Sequence, residues 1–481
     1  MRRSTTQRPG PRRAAGSRGR VAVKPDRLSA LPDALLHHIM SSLKAWEVVR
    51  TCVLARRWRH LWASAPCLDL RVRHSSGRDA DPPEEFRDFV HRLFLLRDAS
   101  APVGTLRLRS SDGDAGFTED DASAWIRAAI NRNARVIHLA GHRSESEVAS
   151  LDRVPFVSCH LKVLKLSYAR LDHRFLGQLS SGCTFLEELD LKDCLVTGPG
   201  IVSASLKTLI MLKCKISCAF SITAPNLLLL RLITPYVRVP SFKNLGSLVT
   251  ATFILDDSFL GDDFEHISDE DDCDGTTDDD GDDSDDNDWT ETSKIHDDSS
   301  LSDDFGYDHF IRYRECNGRK ILGGRHILQS LSSARTLELL TDAGEVVLSR
   351  ELKMCPTFSN LKTLSLGEWC MAADSDALIF LLQHSPNIEK LFLHLKINFN
   401  ARKASETGIK LQGRSFTCKD LQMVKINCSK DDGRVHKLAN LFRANGIPLE
   451  KIFVRRSGSA YLRSQQQMKE LARRELEFWG M

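Results

Sequence analysis

The chain lacks the short cysteine spacings that mark metal sites and disulfide frameworks. Its 481 residues include thirteen cysteines, an odd number, and none of them forms a C-x-x-C pair. This spacing indicates neither a zinc knuckle nor a disulfide framework. Long hydrophobic runs are also absent. The leucine-rich stretch 227–233 is interrupted by Arg231 and is far too short to cross a bilayer, so no membrane association is expected.

Motifs of catalysis and secretion are missing as well. The sequence contains no G-x-G-x-x-G, no P-loop and no G-x-S-x-G. His37 and His38 are adjacent, so they face different sides of a helix and cannot form the i, i+4 metal pair of H-E-x-x-H. The basic N-terminus is not followed by the apolar stretch of a signal peptide. We therefore expect a non-catalytic protein without a cofactor or metal, in a reducing compartment, the nucleus and/or the cytoplasm.

Charge is strongly segregated along the chain, although the formal net charge is only +3. Residues 1–24 contain no acidic residue and are rich in Arg, Ser, Gly and Pro, which predicts a disordered basic leader. The alternative readings of this leader are a nuclear-import signal and an organelle transit peptide.

A second biased segment interrupts the later part of the chain. Residues 256–304 hold 23 acidic residues and one basic residue, Lys294, a net charge of −22, which leaves +25 on the rest of the chain. Like charges at this density cannot pack, so residues 256–305 are predicted to be a disordered acidic insertion. A calcium loop beginning at Glu270 is the alternative, but its twelfth position is Gly281, where a bidentate Glu is needed.

Residues 26–66 carry the most informative pattern. Three short helices are predicted there, with apolar stripes at Leu35, Leu36, Ile39 and Leu43, at Val49, Val53 and Leu54, and at Trp58, Leu61 and Trp62. Pro32 suits a first helical turn, where its missing N–H costs nothing. A unit of about 40 residues is near the lower limit for independent folding. It holds more large apolar residues than it can bury, which indicates that it folds against something else.

At these residues the sequence resembles the F-box of plant F-box/leucine-rich-repeat proteins. The matching letters are D-R-L-S-x-L-P-D-x-L-L-x-x-I-M and V-V-R-T-C-V-L-x-R-R-W-R-x-L-W, with Ala55 at a position where the family often has Ser. The resemblance implies docking to a Skp-type adaptor and through it to a cullin. The adaptor-binding residues it implies are Leu31, Pro32, Leu35, Ile39, Leu54, Trp58 and Trp62. The alternative is that these residues form only the core of a small helical domain.

After residue 100 a six-residue unit, apolar-x-x-apolar-x-apolar, recurs at irregular steps. It begins at Val103, Ala134, Leu161, Leu186, Leu206, Leu227, Leu248, Ala334, Leu361, Ile388, Leu421 and Leu449. This is the strand signature of a leucine-rich repeat. Cys194 and Cys214 occupy the ninth position of the repeat, which points inward and bonds to backbone, so both are predicted to be structural thiols. Residues 374–383 give the clearest helix between strands.

Residues between the apolar positions are expected on the concave face of stacked strands, where a partner can bind. The substrate-binding candidates are Phe392, His394, Lys425, Phe453 and Arg455. The alternative is that neighbouring loops cover the apolar ones. Residues 412–481 resemble the FBD-like tail that often follows the repeats of this family, and such a tail would act as a cap.

The predicted fold is α/β: an F-box at 25–70 and an irregular leucine-rich-repeat solenoid, or horseshoe, at 100–255 and 325–411. The FBD-like region follows at 412–481. The resemblance implies a substrate-recruiting subunit of an SCF-type (Skp-cullin-F-box) ubiquitin ligase whose repeats bind an unknown protein substrate. The alternative is a leucine-rich-repeat scaffold or regulator that acts without a ligase. Nucleic acid is not expected as a partner, because no stacking-platform motif accompanies the basic charge.

Overall fold

The structure is a computed structural model that describes twelve stretches of the chain. These are residues 26–71, 83–109, 118–141, 149–150, 156–255, 322–323, 326–341, 345–352, 354–371, 377–395, 415–428 and 432–456. The predicted leader and the predicted acidic insertion lie outside these residues and stay predictions. Within the described residues, no helix combines the length and the apolar content needed to cross a membrane.

The N-terminal unit contains two α-helices and three 3-10 turns. The helices are α1, Asp33–Met40, and α2, Ala45–Arg50, and the turns are Thr51–Val53, Arg56–Arg59 and Leu61–Ser64. The third predicted helix is therefore a pair of 3-10 turns. Ala55 is extended, at φ −158° and ψ 163°, and separates these turns from α2. Trp58 lies in the second turn and Leu61 in the third, and both are buried in the same small core.

A 13-stranded parallel sheet follows the N-terminal unit, and its strands follow one another in chain order. Its strands are Cys67–Arg71 (β1), Thr105–Arg109 (β2), Val136–Ala140 (β3), Val163–Ser167 (β5), Glu188–Lys192 (β7), Thr208–Leu212 (β10), Leu229–Ile233 (β13), Thr250–Leu255 (β16), Thr336–Thr341 (β18), Thr363–Leu366 (β19), Lys390–His394 (β20), Met423–Cys428 (β21) and Ile452–Arg456 (β22). A strand follows the start of each of the twelve predicted motifs, so those strand predictions are confirmed. β1 is an additional strand that lies before the predicted repeats.

Short strands lie in three further parallel sheets at the turns of the chain. They are Ala149–Ser150 (β4), Ala169–Leu171 (β6), Leu195–Val196 (β8) and Lys215–Ile216 (β11); Gly200–Val202 (β9), Ser221–Thr223 (β12) and Ser241–Lys243 (β15); and Arg238–Val239 (β14) with Leu322–Gly323 (β17). The remaining helices are Pro83–Leu96 (α3), Glu119–Ile130 (α4), His173–Gly182 (α5), Ile327–Ser330 (α6), Glu345–Leu352 (α7), Ala377–Gln383 (α8) and Arg434–Ala444 (α9), with 3-10 turns at Glu368–Met371 and Leu449–Lys451.

The apolar motif positions line a continuous core on one side of the 13-stranded sheet. In β10, for example, Leu209 and Met211 are fully buried, and so is Leu206 just before the strand. The described part of the predicted 374–383 helix is α8, and its Ala377 and the apolar residues beside it are buried in the same core. Because side chains alternate along a strand, the residues between the apolar positions face the opposite side of the sheet.

Cys194 and Cys214 are structural thiols, as their position in the repeat predicts. The Sγ of Cys194 donates to the carbonyl of Leu166, and the Sγ of Cys214 donates to the carbonyl of Leu191, both at 3.5 Å. Each thiol thus ties one turn of the chain to the preceding strand. Burial raises the pKa of the Cys214 thiol well above its ordinary value, which keeps it protonated and unreactive.

Four neighbouring strands of the sheet, β5, β7, β10 and β13, are each followed by a residue with left-handed backbone. Tyr168, Asp193, Lys213 and Thr234 have φ between 45° and 55°. Each of their N–H groups donates to the last paired carbonyl of the following strand, for example from Thr234 to Ile254 at 2.7 Å. This repeated bend redirects the chain at the end of each strand.

Thr234 gives a testable prediction about these bends. A β-branched residue is strained at φ 45°, and the buried Oγ1 of Thr234 has no hydrogen-bond partner among the described residues. We expect Thr234→Gly to stabilise the fold by about 1 kcal/mol, because glycine adopts positive φ without strain. Urea denaturation measures the change. A matched Gly substitution at Thr252, which lies in β16 with ordinary φ, should destabilise instead.

Candidate functional site

The first candidate surface lies on the N-terminal unit. Leu35, Ile39 and Leu54 are 49%, 41% and 61% exposed, and Pro32 is exposed beside them at the start of α1. Such a group of exposed large apolar side chains on a small folded unit is typical of a protein-binding surface. Leu31 and Trp62 are half-buried. Trp58 is only 2% exposed, so it supports this surface from inside and is not itself available for contact.

The opposite face of α1 explains why these side chains point outward. Leu36 and Met40 pack with Val48, Trp58 and Leu61 into a small core of their own. Leu35 and Ile39 are four residues apart and share the other face of the helix. The unit therefore has an interior of its own that does not include Leu35 and Ile39, and both stay exposed.

Hydrogen bonds hold the chain segment before α1 against Trp58. The indole Nε1 of Trp58 donates to the Oγ of Ser29 at 2.9 Å. The guanidinium of Arg57 pairs with Asp33 at 2.5 Å and donates to the carbonyl of Ser29. These contacts fix the position of Leu31 and Pro32 relative to the 3-10 turns, and thereby fix the shape of the exposed surface.

Val53 is a candidate that the sequence pattern did not assign to the adaptor. It is 82% exposed and precedes Leu54 at the end of the first 3-10 turn. The sequence signal was present, since the two consecutive apolar residues point in different directions and a short turn cannot bury both. Leu28, also exposed, lies in the segment before α1.

The N-terminal unit is joined directly to the sheet. Ala45 of α2 belongs to the main core, and Val49 and Trp62 pack against it. The backbone N–H of Asp98 donates to the carbonyl of Ala63 at 3.1 Å, and that of Thr105 donates to Pro66 at 3.0 Å. The exposed surface thus has a defined orientation relative to the strands.

The second candidate surface is the side of the sheet opposite the core, at its C-terminal end. In the register of the sheet, Phe392 of β20 is paired with Lys425 of β21, which is paired with Phe453 of β22. His394 and Arg455 lie in the next row along the strands, on either side of Asn427. The structure therefore brings all five predicted substrate-binding residues together.

Exposure differs across this second surface. Phe453 is 52% exposed and Arg455 is exposed, whereas Phe392, Lys425 and His394 are half-buried. Burial lowers the pKa of His394, and the charge of Lys425 lowers it further. His394 is therefore neutral near pH 7 and acts as a hydrogen-bonding group, with the Nδ2 of Asn427 at 3.4 Å from its Nδ1.

At the N-terminal end of the same face, charges are paired instead. Asp69 binds Arg71 at 2.6 Å and lies 3.8 Å from Arg107 on the neighbouring strand. Lys165 binds Glu188 at 2.8 Å and lies 3.7 Å from Asp190. Charge on these strands is therefore largely neutralised within the protein, unlike at the C-terminal end.

His138 lies between these two groups and gives a pH-dependence prediction. Burial, with the charges of Lys165 and Arg107, lowers its pKa to about 3. Below about pH 6.5 the unfolded chain binds a proton at His138, whereas the folded chain does not. The contribution of His138 to the free energy of unfolding is therefore full above about pH 6.5 and falls as the pH drops towards about 3. We expect a slope of up to about 1.4 kcal/mol per pH unit in that window.

Urea denaturation of the wild type and of His138→Asn between pH 7 and pH 4 tests this expectation. The variant removes one titrating group and should show a shallower loss of stability with acid. Parallel curves for the two proteins would contradict the assignment.

Metal ligation finds no support in the described part of the chain, where no group of three or more His, Cys, Asp or Glu side chains could hold an ion.

Comparisons with known proteins agree with the residue pattern. Residues 28–69 match the family model of the F-box domain. The chain is similar to the meiotic F-box protein MOF of Oryza sativa subsp. japonica, with 28% identity over 83% of this chain and 80% of that protein. It is also similar to an F-box/FBD/LRR-repeat protein of Arabidopsis thaliana, with 32% identity over 38% of this chain and 48% of that protein. The resemblance to plant F-box/leucine-rich-repeat proteins is thereby confirmed.

Proposed function

The chain carries an F-box domain, and from that premise we propose that it is the substrate-recruiting subunit of an SCF-type ubiquitin ligase. The observation that carries this proposal is the exposure of Leu35, Ile39 and Leu54 on a unit whose own core is complete. A Skp-type adaptor would bury these side chains and link the chain to a cullin. About 25 cal/mol is gained per Å² of apolar surface buried, so three such side chains can anchor a stable interface.

The sheet is proposed to act as the substrate receptor. Thirteen parallel strands in chain order support an irregular leucine-rich-repeat horseshoe. We propose an F-box at 25–70, repeats at 100–255 and 325–411, and an FBD-like C-terminal region at 412–481. The concave face would carry the substrate at Phe392, His394, Lys425, Phe453 and Arg455.

Catalysis belongs to other subunits in this proposal. The chain would supply proximity only, by holding a protein near the ubiquitin-transferring enzyme, which raises its effective concentration. The direct contacts between the N-terminal unit and the sheet favour this role, because they fix where a bound substrate points. The nucleus and/or the cytoplasm is the proposed location.

A pull-down from cells, read by mass spectrometry, tests the proposal. The full chain should recover a Skp-type adaptor and a cullin, and a chain with Leu35→Asp and Leu54→Asp should recover neither while keeping its other partners. A leucine-rich-repeat scaffold that works without a ligase is supported instead if both chains recover the same partners and no cullin.

The proposed substrate surface gives a separate prediction. Phe392→Ala with Phe453→Ala should abolish substrate capture, because aromatic side chains often anchor interfaces, while adaptor binding persists. Phe453 is exposed, so its loss should change stability by no more than about 0.5 kcal/mol. Phe392 is half-buried, so its replacement by Ala should lower stability by about 1–2 kcal/mol. Truncation of a core Phe lowers it by about 3–5 kcal/mol. Normal substrate capture by the folded double variant would move the binding site elsewhere.

A further inference from the structure

The C-terminal end of the concave face combines positive charge with apolar surface. We define the C-terminal patch as Lys390, Phe392, His394, Lys425, Phe453 and Arg455. Strands β20, β21 and β22 contain no Asp or Glu, so the patch holds three cations and no anion of its own. None of Lys390, Lys425 and Arg455 forms an ion pair within the described residues, in contrast to the paired charges at the other end of the face.

Lys425 is the centre of this patch. It lies between Phe392 and Phe453 in one row across the strands, which are about 4.8 Å apart. Its half-buried position reduces its contact with water, and an opposite charge placed there is attracted more strongly than at an open surface. The two rings add apolar area on either side of the charge.

The neighbouring strand on the side of the F-box is polar and uncharged at this level. Thr363 and Ser365 of β19 pair with Lys390 and Phe392. The first acid in the same row is Glu338 of β18, and it accepts a hydrogen bond from the Oγ1 of Thr252 at 2.9 Å. Glu389 precedes Lys390 in the chain, but it is paired with Lys362 at 2.8 Å. The row of Lys425 itself therefore has no carboxylate before Glu338.

From this arrangement we infer that the C-terminal patch binds an acidic peptide segment of the recruited protein, with apolar side chains flanking the carboxylates. The row from Phe392 to Phe453 spans about 10 Å, the length of about three residues of extended peptide. A carboxylate would meet Lys425 and Arg455, and apolar side chains would contact the rings. This inference rests on the proposed function, since it names the chemistry of the substrate.

A peptide fits this surface better than single-stranded nucleic acid does. Nucleic acid needs several open aromatic faces on which bases can stack. Only Phe453 is largely exposed, whereas Phe392 is half-buried among its neighbours. A carboxylate beside Lys425 needs no open ring face.

Fluorescence anisotropy on the full chain tests the inference. The probe is a labelled Gly/Ser peptide with two Leu-Asp-Asp-Leu segments, and the matched peptides carry Leu-Asn-Asn-Leu or Leu-Lys-Lys-Leu. We expect the acidic peptide to bind with a dissociation constant below about 1 mM, and to be released between about 0.1 and 1 M salt. The neutral and basic peptides should bind at least about tenfold more weakly.

Charge reversal locates the site. Lys425→Glu with Arg455→Glu should weaken acidic-peptide binding by about tenfold or more. Lys419→Glu with Lys437→Glu changes the net charge equally at exposed positions outside the patch and should leave binding within about twofold. A melting curve for each variant confirms that it is folded.

Two results with the peptides would overturn the inference: no binding of the acidic peptide at about 1 mM, or equal binding of the basic peptide. Equal loss of binding in both charge-reversal variants would also overturn it. So would displacement of the acidic peptide by single-stranded RNA but not by unlabelled acidic peptide. Adaptor capture is measured on the same preparations. If the acidic peptide does not bind but the adaptor is captured, only the acidic-substrate inference is rejected. Absence of adaptor capture rejects the proposed function.

Discussion

Replacement of Leu35 and Leu54 by aspartate is expected to weaken adaptor binding by at least about 3 kcal/mol, roughly a hundredfold. Both side chains are largely exposed, so their loss removes apolar contact area from the interface and none from the core. The new carboxylates would also be buried without a partner when the adaptor binds. Stability should therefore stay within about 0.5 kcal/mol of the wild type.

Two control variants distinguish a loss of adaptor contact from a loss of folding stability. Val202→Asp places the same charge at an exposed apolar position of β9, far along the chain from the F-box, and should leave adaptor binding unchanged. Trp58→Ala should lower stability by about 3–5 kcal/mol, because this side chain is buried in the core of the unit. Titration with purified adaptor, alongside thermal melting, distinguishes the three variants. Wild-type affinity in the Leu35/Leu54 variant would show that the adaptor binds elsewhere.

Arg434→Met is expected to lower stability by about 3–5 kcal/mol, since it leaves a buried carboxylate without its partner. The guanidinium of Arg434 donates to Asp432 at 2.8 and 2.9 Å, and it also pairs with Glu368. Asp432 is almost fully buried. The network joins the turn after β19 to the start of α9, two strands further along the sheet, and thereby stabilises the C-terminal end of the sheet.

The pH dependence of this variant gives a second readout. Burial alone raises the pKa of Asp432, but the hydrogen bonds and charge of Arg434 outweigh it and hold the pKa below its ordinary value. In the wild type the stability from this pair is present above about pH 4 and is lost as the pH falls through the folded pKa. Without Arg434 burial dominates, so the variant should lose stability as the pH rises above about 4.

Urea denaturation at pH 4 and pH 7 measures both effects. Lys437→Met removes an exposed cation from the same helix and should change stability by no more than about 0.5 kcal/mol. An Arg434→Met protein as stable as the Lys437→Met protein at pH 7 would contradict the assigned network.

Much of the sheet was predictable because its strands obey one local rule. Each six-residue motif places apolar side chains on the core side, and period-two alternation then determines the other face, including the row of Phe392, Lys425 and Phe453. β1 follows the same motif, from Ala65 to Leu70, but the repeats were expected only after residue 100. Its Asp69, between the apolar positions, is buried and paired with Arg71. Pattern alone does not reveal that a buried carboxylate has a partner two residues away.

Other features depend on tertiary structure and carry little local signal. Trp58 and Leu54 are both apolar motif residues, yet one lies inside the unit and the other outside, because the extended Ala55 reorients the chain between them. The left-handed residues after the strands are not glycines, so no composition signal marks them. The pair of Arg434 and Glu368 joins residues 66 positions apart, which only the stacking of strands brings together.

Calorimetric titration of the full chain with a purified Skp-type adaptor tests the central claim most directly. The proposal predicts a saturable 1:1 complex with a dissociation constant at or below about 1 µM, and a negative heat-capacity change, because the binding buries the apolar surface of Leu35, Ile39 and Leu54. The Leu35→Asp/Leu54→Asp protein should give no heat under the same conditions. A folded wild-type chain that gives no heat with the adaptor, or equal heat from both proteins, would contradict the claim.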